Sequence, residues 1–534
     1  MSFLFLHMLA SSMAHASPLE HHAAAMDLDS LWIDFETHFV HPPEWDVAEE
    51  GTVCLTGLVA RLRQNLDGFS PERQEQILNA IEPWRQKERS EVEDAPPPPG
   101  AAPCIGHYGD NYIVGDHFSV EWDDGTSVSE SSMNNFLEAL EYSWDVEVDE
   151  LGWAAPSGAS YYPLLVYIQS GNYAGGYTTI TECSTGGYGY MPYIVAYAGS
   201  FSTGQWYKTL AAHEFNHATQ FYYGYRNEFY WWEATATWLE EYVYPAQNDW
   251  ASSIYYGYSE QPHLAMNASD QQNQDIFWHM YAMSVFAQFL DQHIDGHDMV
   301  QGTWEYAAAN NSSWGYYDLW MPDIIEGMGY DFAEVYTHFM AVASVMDFNE
   351  SAYYYQPALA DTVSSLPADG EAPSQTQPQS LGQNFIKFKA GSGEEGMALE
   401  VTFDGEDGAE WFAVLARGEE NALSDFIALE LDDSGAGVGQ IIFDGDEDIY
   451  LIVSPMDDSA YGAHYNWSNA SEWDYTWSAD LVDPATVDDT GSGGGGEGDD
   501  DDDDDSKCGC TAGGSAVGLA WLVALTALSR RRRH

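Results

Sequence analysis

Two histidines four residues apart place the strongest constraint on how this chain can fold. They begin and end the run HEFNH, from His213 to His217, and on an α-helix such positions stand on one face, one turn apart. Leu210 and Phe221 fall on the same stripe of that helix, and Phe215 falls on a neighbouring stripe. The spacing therefore predicts a helix that presents both imidazoles from one face.

A carboxylate further along the chain completes a candidate metal site. Glu233 follows His217 by sixteen residues, and the pattern predicts a first helix that ends near Gly224 and a second, antiparallel helix that ends at Pro245. Glu233 on the second helix would then face both imidazoles. A catalytic zinc site takes three protein ligands and keeps a fourth position open. The alternative is a surface helix whose histidines only form hydrogen bonds.

Glu214 directly follows the first histidine and lies about 100° further around the helix. It therefore points beside a bound ion, where it can remove a proton from the attacking water as a general base. A structural metal site does not need this carboxylate, and it is closed by a fourth protein ligand.

These residues resemble the gluzincin metallopeptidases, the thermolysin-like and aminopeptidase-like enzymes with an HExxH motif and a Glu as third ligand. The resemblance implies one catalytic zinc ion, a zincin-like fold, and Glu214 as general base. It implies three zinc ligands: His213, His217 and Glu233. Glu240, seven residues after the third ligand, is also common in the family. Thr237 departs from the thermolysin-like subgroup, which often carries an Asp there to orient a histidine.

A tyrosine is the candidate donor to the oxyanion that forms during hydrolysis. Tyr281 opens the segment 281–290, which looks like the helix that follows the third ligand in several gluzincin families. Because the chain has 35 Tyr, a packing or surface role is the alternative for this residue. His279 and Tyr223 are substitutes for the donor role.

Acidic side chains greatly outnumber basic ones. The 534 residues include 86 Asp and Glu against 16 Lys and Arg, for a formal net charge of −70. Nucleic-acid binding needs clustered cations, so this balance excludes it. Because salt screens such repulsion, the acidity indicates a monomer adapted to a saline exterior. A merely soluble acidic surface is the alternative.

Both ends of the chain carry targeting signals. Residues 1–16 combine an apolar stretch with the small residues of a cleavage site, which predicts a signal peptide; a disordered N-terminus is the alternative. An acidic linker and Cys motif at 485–510 precedes an uncharged stretch and an Arg run at 511–534, which predicts a transmembrane helix. This order resembles the C-terminal sorting tail of myxobacterial surface proteins. The resemblance implies attachment at the outer cell surface, through the tail or a lipid that replaces it.

The composition between these signals predicts an α+β protein with a C-terminal all-β sandwich. Helical patterns cover 27–90, with Ser70 as N-cap of a helix that starts at Pro71, and helices dominate 205–346. Strands are predicted at 117–122, 164–168, 178–181 and 193–197, and a helix at 132–144. Short alternating runs beyond 383 predict the sandwich. The boundaries are a helical segment at 17–100, a zincin-like domain at 101–358, a linker at 359–383 and the sandwich at 384–484.

The helical segment at 17–100 has two interpretations. It carries most of the cations outside the tail and ends at a proline spacer, 96–99, which is what a propeptide could look like. An ordinary helical subdomain is the alternative. Cys104 with Cys183 is the favoured disulfide, because Cys54 lies in the segment that propeptide removal would take away.

Two further features also have two interpretations each. The strand at 190–198 directly precedes the motif helix, so it is either the cleft edge that pairs with substrate or a buried core strand. The acidic runs at 404–407 and 444–448 could hold Ca²⁺ through carboxylate oxygens, although Asp-Gly turns are the commoner explanation.

Together these features predict a secreted, surface-anchored zinc metallopeptidase that hydrolyses peptide bonds in a protein or peptide substrate. The rival from another class is a surface adhesin or carbohydrate-binding protein with a structural or vestigial zinc motif. A zinc hydrolase that cleaves a non-peptide bond is a further rival.

Overall fold

The computed structural model describes residues 28–40, 53–85 and 107–484, except for 161, 173, 184–188, 203, 225–228, 270–273, 311–319, 390, 392–394, 446 and 458–469. The signal peptide, the acidic linker, the sorting tail and Cys104 lie outside the described residues. Within the part that is described, no helix combines the length and apolar character needed to cross a membrane.

The N-terminal part is mostly helical, as predicted. Its helices are α1 (Leu28–Phe35), α2 (Thr56–Gln64) and α3 (Pro71–Ile81), and a short strand, β1 (Val53–Cys54), lies just before α2. The Ser70 side chain accepts a hydrogen bond from the backbone N–H of Arg73, so the predicted N-cap is confirmed. The strand was not predicted, because two residues carry no periodic pattern.

A mixed sheet forms the centre of the fold. Its further strands are β2 (Asn111–Val114), β3 (Phe118–Trp122), β4 (Leu164–Gln169), β5 (Gly175–Cys183) and β6 (Gly189–Tyr197), which contain the predicted strand runs. The strand order is β1-β5-β6-β4-β3-β2, in which β3, β4 and β6 run parallel and β5 runs antiparallel to β6. Strand β1 adds to the outer side of β5 in parallel.

The strand that precedes the motif helix is a core strand. Strand β6 lies between β5 and β4, and Ile194 and Val195 at its middle are fully buried. Of the two interpretations offered by the sequence, the buried one is therefore correct. The outer edge of β5 pairs with β1 at Gly175 and Gly176.

Helices follow the sheet. Helix α4 (Glu130–Trp144) lies before β4, and the remaining helices follow β6: α5 (Tyr207–Tyr223), α6 (Phe229–Val243), α7 (Trp250–Ser253), α8 (Gln274–Ala282), α9 (Ser284–Phe289), α10 (His297–Asn310), α11 (Met321–Gly327) and α12 (Phe332–Val345). One-turn π-helical segments extend several of them: Glu36–Val40, Asp145–Glu150, Ile254–Ser259 and Leu290–Asp295. Helix α5 ends at Gly224, whose φ of 111° suits glycine, as predicted.

The C-terminal part is mostly β. Its strands are β7 (Leu359–Val363), β8 (Ala368–Glu371), β9 (Asn384–Phe388), β10 (Ala398–Gly405), β11 (Glu410–Glu419), β12 (Ala422–Ala428), β13 (Ala436–Ile442), β14 (Asp448–Met456) and β15 (Tyr475–Val482). They form two sheets, one with the order β13-β10-β15-β8 and the other with the order β12-β11-β14-β9-β7. Buried side chains of both sheets, including Phe403, Leu415 and Trp477, share one core. The general outline of an α+β protein with a β-rich C-terminal part is confirmed.

The stretch 359–383 contains strands and is not simply a linker. Strand β7 pairs with β9, and β8 pairs with β15, so the backbone of this stretch completes both C-terminal sheets. Its Pro, Ser and Gln residues resemble linker composition, but side-chain composition does not reveal a ladder of backbone hydrogen bonds at a sheet edge. The described residues up to Thr486 belong to one compact unit.

Helix α5 packs between the sheet and helix α6. Leu210, Phe215 and Ala218 pack with Val166 and Ile194 of the sheet in one core cluster. Ala212 and Phe221 belong to a second cluster that also contains α6 and the N-terminal helices. Both faces of α5 are therefore buried, which is unusual for a helix that carries His, Glu and Asn.

Replacing Leu58 by Ala should lower the free energy of unfolding by about 2–5 kcal/mol, because the truncation leaves a cavity in a fully buried position of α2. Urea unfolding followed by tryptophan fluorescence measures the loss. Leu359→Ala is the matched control, because that leucine is 41% exposed, and it should cost about 0.5 kcal/mol or less. Equal losses for the two variants would contradict the packing described for α2.

Candidate metal centre

Helices α5 and α6 bring the three predicted ligands together. His213 Nε2 lies 3.1 Å from His217 Nε2 and 3.1 Å from Glu233 Oε2, and His217 Nε2 lies 3.5 Å from the same carboxylate oxygen. The side chains of His217 and Glu233 are fully buried, and that of His213 nearly so. Two imidazoles and one carboxylate thus point at a common centre.

A fourth side chain, Cys54, joins this centre from the N-terminal part. Its Sγ lies 3.3 Å from His217 Nε2, and the ligand atoms of Cys54, His213, His217 and Glu233 all lie within 4.8 Å of one another. Cys54 is a free, buried thiol. In the part of the chain that the structure describes, this is the one group of three or more His, Cys, Asp or Glu side chains placed to hold a metal ion. The described residues of the acidic runs considered for Ca²⁺ form no second group of this kind.

The donor set and its spacing fit a zinc ion. In a tetrahedral zinc site with bonds of about 2.0–2.1 Å, neighbouring nitrogen and oxygen ligands are about 3.3 Å apart. The observed separations of 3.1–3.5 Å between the ligand atoms match those edges. Histidine nitrogen, carboxylate oxygen and thiolate sulfur are also the ligand types that zinc takes in proteins. The buried cluster could therefore hold a metal ion.

The other ring nitrogen of each histidine has a hydrogen-bond acceptor. His213 Nδ1 lies 2.7 Å from Glu240 Oε1, and His217 Nδ1 lies 2.7 Å from Gln220 Oε1. The Gln220 amide is oriented because its Nε2 donates to Asn216 Oδ1 and to the Trp232 carbonyl. Each Nδ1 can therefore donate to its acceptor, and each Nε2 is the ring nitrogen that faces the common centre.

Glu240 is the orienting partner that the sequence left unidentified. It lies seven residues, or about two helical turns, after Glu233, so both carboxylates stand on the same face of α6. Thr237, the position where thermolysin-like enzymes often carry an Asp, has no partner for its hydroxyl in the described residues. The carboxylate that orients His213 thus lies at position 240, about one helical turn after position 237.

Burial and opposite charge act on these groups in opposite directions. Burial alone would lower the pKa of His217, but the negative charges of a Cys54 thiolate and of the Glu233 carboxylate outweigh it and raise that pKa to about 10. Burial alone would raise the pKa of Glu233, but His217 and His213 hold it at about 2. The raised pKa of His217 and the lowered pKa of Glu233 both mean that positive charge is favoured at this point.

Glu214 lies beside the centre and does not join the ligands. Its Oε2 accepts from Thr178 Oγ1 at 2.8 Å, while its buried Oε1 has no hydrogen-bond partner among the described residues. Burial raises the pKa of this carboxyl, against the lowering effect of the two histidines. Gly176 of β5 leaves room for it, because a Cβ there would lie 3.1 Å from Glu214 Oε1 and 2.7 Å from the Val195 carbonyl.

Tyr281 also reaches the centre. Its hydroxyl donates to the carbonyl oxygen of Cys54 at 3.2 Å and accepts from the N–H of Cys54 at 3.3 Å, and its ring lies 6.1 Å from that of His213. The two substitutes lie elsewhere. Both ring nitrogens of His279 contact backbone carbonyls, and the Tyr223 hydroxyl accepts from the N–H of Ala154.

Cys54 is not among the ligands that the sequence predicts, because nothing in its spacing could link it to His217, 163 residues later. The favoured disulfide between Cys104 and Cys183 lies outside the described residues and side chains.

Comparisons with protein-family models and with curated proteins found no match. Among solved structures, the chain is similar over 24% of its length to the pre-peptidase C-terminal domain of a collagenase from Bacillus anthracis, covering 99% of it at 11% identity and a TM-score of 0.16. It is similar to PliG, a periplasmic inhibitor of g-type lysozyme from Aeromonas hydrophila, over 23% of this chain and 100% of that one, at 12% identity and a TM-score of 0.13. It is also similar to the insecticidal delta-endotoxin Cry8Ea1 from Bacillus thuringiensis, over 25% of this chain and 21% of that one, at 10% identity and a TM-score of 0.12. Similarity at this level carries no information about function.

Replacing Glu240 by Gln should weaken zinc binding by about 10- to 100-fold, because His213 loses the carboxylate that orients its ring and raises its basicity. Competition with a chelator of known affinity measures the change. Glu241→Gln is the matched control, since this neighbour bonds the indole N–H of Trp250 instead. Similar losses of affinity in both variants would refute the orienting role of Glu240.

Proposed function

We propose that this protein is a zinc-dependent metallopeptidase of the gluzincin type. The observation that carries the proposal is the common focus of His213, His217 and Glu233, with Glu214 beside it and not among the ligands. A zinc ion held by these three side chains would supply a Lewis acid that polarises a carbonyl and makes water nucleophilic near neutral pH.

The chain's own residues have distinct roles in this proposal. Glu214 takes a proton from the attacking water and passes it to the leaving amine, and its unpaired Oε1 is the atom free to do so. Tyr281 donates a hydrogen bond to the oxyanion that develops on the scissile carbonyl. Its hydroxyl already donates to a backbone carbonyl at this place, that of Cys54.

The edge of β5 supports a peptide as the substrate. An exposed sheet edge binds extended peptide through backbone hydrogen bonds. Here the edge nearest to Glu214 pairs with the extended residues Val53 and Cys54, so its backbone groups are oriented to bind a peptide chain. Hydrolysis of a non-peptide bond would make no use of this edge.

A structural zinc site is the second candidate, because Cys54 offers a fourth protein ligand and structural sites are closed by four. Such a site could belong to an adhesin or a carbohydrate-binding protein. Glu214 argues against it. A buried carboxylate oxygen without a partner costs free energy, and a structural site gains nothing in return.

The termini support a cellular location for this activity. We propose that a signal peptide at 1–16 directs secretion and that the tail at 511–534 attaches the protein at the outer cell surface. The acidic composition suits a saline exterior.

Glu214→Gln should retain about one zinc per chain but lower peptide hydrolysis by about 10²–10⁴-fold, because the amide cannot accept the proton. Metal analysis and a peptide-cleavage assay on the same preparation test both parts. Glu138→Gln, at an exposed position of α4, should change neither. Protein without zinc after folding in its presence, or a Glu214→Gln variant with full activity, would contradict the proposed function.

Tyr281→Phe should lower kcat by about 10²–10³-fold with little change in zinc content, because it removes one donor to the oxyanion. Steady-state kinetics give kcat and KM separately. The control is Tyr223→Phe, which removes a buried hydroxyl that bonds Ala154 and lies away from the metal centre. An unchanged kcat for Tyr281→Phe would leave Tyr281 with a packing role only.

A further inference from the structure

Residues 53–56 occupy the place where the proposed function puts a substrate. Cys54 stands opposite Gly176 of β5, and the N–H of Leu55 donates to the Gly176 carbonyl at 2.9 Å. The Thr178 N–H then donates to Thr56 Oγ1 at 2.8 Å. This segment is therefore held along the edge of β5 by backbone and side-chain hydrogen bonds, as an extended peptide would be.

The same segment contacts each group that the proposed function assigns to catalysis. Cys54 Sγ lies 3.3 Å from His217 Nε2, at the fourth position around the centre. Thr56 Oγ1 lies 3.4 Å from Glu214 Oε2, and the Cys54 backbone bonds the Tyr281 hydroxyl through both N–H and C=O. The general base, the oxyanion donor and the open coordination position are all covered by residues 53–56.

The packing of this segment leaves no access for a substrate. Cys54, Leu55 and Thr56 are almost fully buried, and Leu58 of the following helix α2 belongs to the main core cluster. The cavity beside the centre, lined by Cys54, His213 and Tyr281 among others, has a volume of about 30 Å³. A cavity of that size holds one or two water molecules, so a peptide cannot enter it.

We propose that residues 53–56 keep this protein latent, with the Cys54 thiolate as fourth metal ligand, and that the active enzyme forms when the segment leaves the cleft. This inference rests on the proposed function. On release, the Cys54 sulfur would leave the metal site, a solvent molecule would fill the fourth position, and the thiolate would take up a proton from bulk solvent. A fourth protein ligand is compatible with a catalytic site in this case, because its departure leaves the open coordination position that catalysis needs.

The distribution of cations indicates the class of activator. Arg85 follows helix α3 and has a side chain that is 44% exposed, and Lys87 and Arg89 come directly after it in the sequence. Between Ser90 and Ser506 the chain has only Lys208, Arg226, Lys387, Lys389 and Arg417. A peptidase specific for Lys and Arg would therefore cut mainly between the N-terminal helices and the body.

The ligand role of Cys54 is tested by X-ray absorption at the zinc edge of the full chain loaded with zinc alone. We expect one sulfur neighbour at about 2.3 Å together with nitrogen and oxygen neighbours. Cys54→Ser should lose the sulfur neighbour and keep about one zinc per chain, whereas the control Cys104→Ser should keep the sulfur neighbour. Zinc with only nitrogen and oxygen neighbours in the unaltered chain would overturn the assignment of Cys54 and leave the proposed function standing.

Latency is tested by assaying peptide hydrolysis before and after limited digestion with trypsin, with gel filtration to separate the N-terminal fragment. Activity should rise about tenfold or more on digestion, because it follows the fraction of molecules with an open cleft. The sulfur neighbour should disappear in the digested protein. Uncut Cys54→Ser should be more active than the uncut native chain.

The outcomes separate the two proposals. A native chain that is as active before digestion as afterwards, and no less active than Cys54→Ser, would overturn latency alone. If zinc keeps its sulfur neighbour in the digested native chain, and if the native, digested and Cys54→Ser proteins all fail to hydrolyse peptide, the proposed function is overturned. The centre is then a structural site.

Discussion

The structure depends on four ionisable side chains that meet in the buried interior. Burying a carboxylate, a thiol and two imidazoles is costly unless their charges and lone pairs are matched. Here the Glu233 carboxylate lies 3.1 Å from His213 and 3.5 Å from His217, and the Cys54 sulfur lies 3.3 Å from His217. Each imidazole turns its Nε2 to the same place, because its Nδ1 is already bound. A cation at the centre would satisfy all four groups at once, which would account for their presence in the core.

This requirement explains the layout around the centre. Helix α5 is buried on both faces so that water is excluded from its polar residues, and α6 supplies both the third ligand and, two turns later, the carboxylate that orients His213. The sheet adds Thr178, whose hydroxyl holds one oxygen of Glu214 and leaves the other unpaired. The four clustered side chains and Glu214 are thus held by separate contacts, so Glu214 stays outside the cluster.

The N-terminal part has a double character in this arrangement. Its apolar residues, such as Leu58, complete the main core, while Cys54 and Thr56 contact His217 and Glu214. A segment that both stabilises the fold and blocks the site reconciles the two interpretations offered by its sequence. It is a helical subdomain in the form described here, and we propose that it is a propeptide in the sense that its departure opens the cleft.

Several parts of this protein follow from local sequence alone. The HEFNH run, Glu233 and the stop at Gly224 predict the helix pair, because side-chain direction on a helix is set by residue spacing, and alternating runs predict the β-rich C-terminal part. Only the tertiary structure decided that Cys54 contacts His217 and that Glu240 orients His213. The same holds for the pairing of β1 with β5 and for the strands that residues 359–383 add to the C-terminal sheets. Pairing between distant segments depends on how the whole chain packs, and no short-range pattern of residues records it.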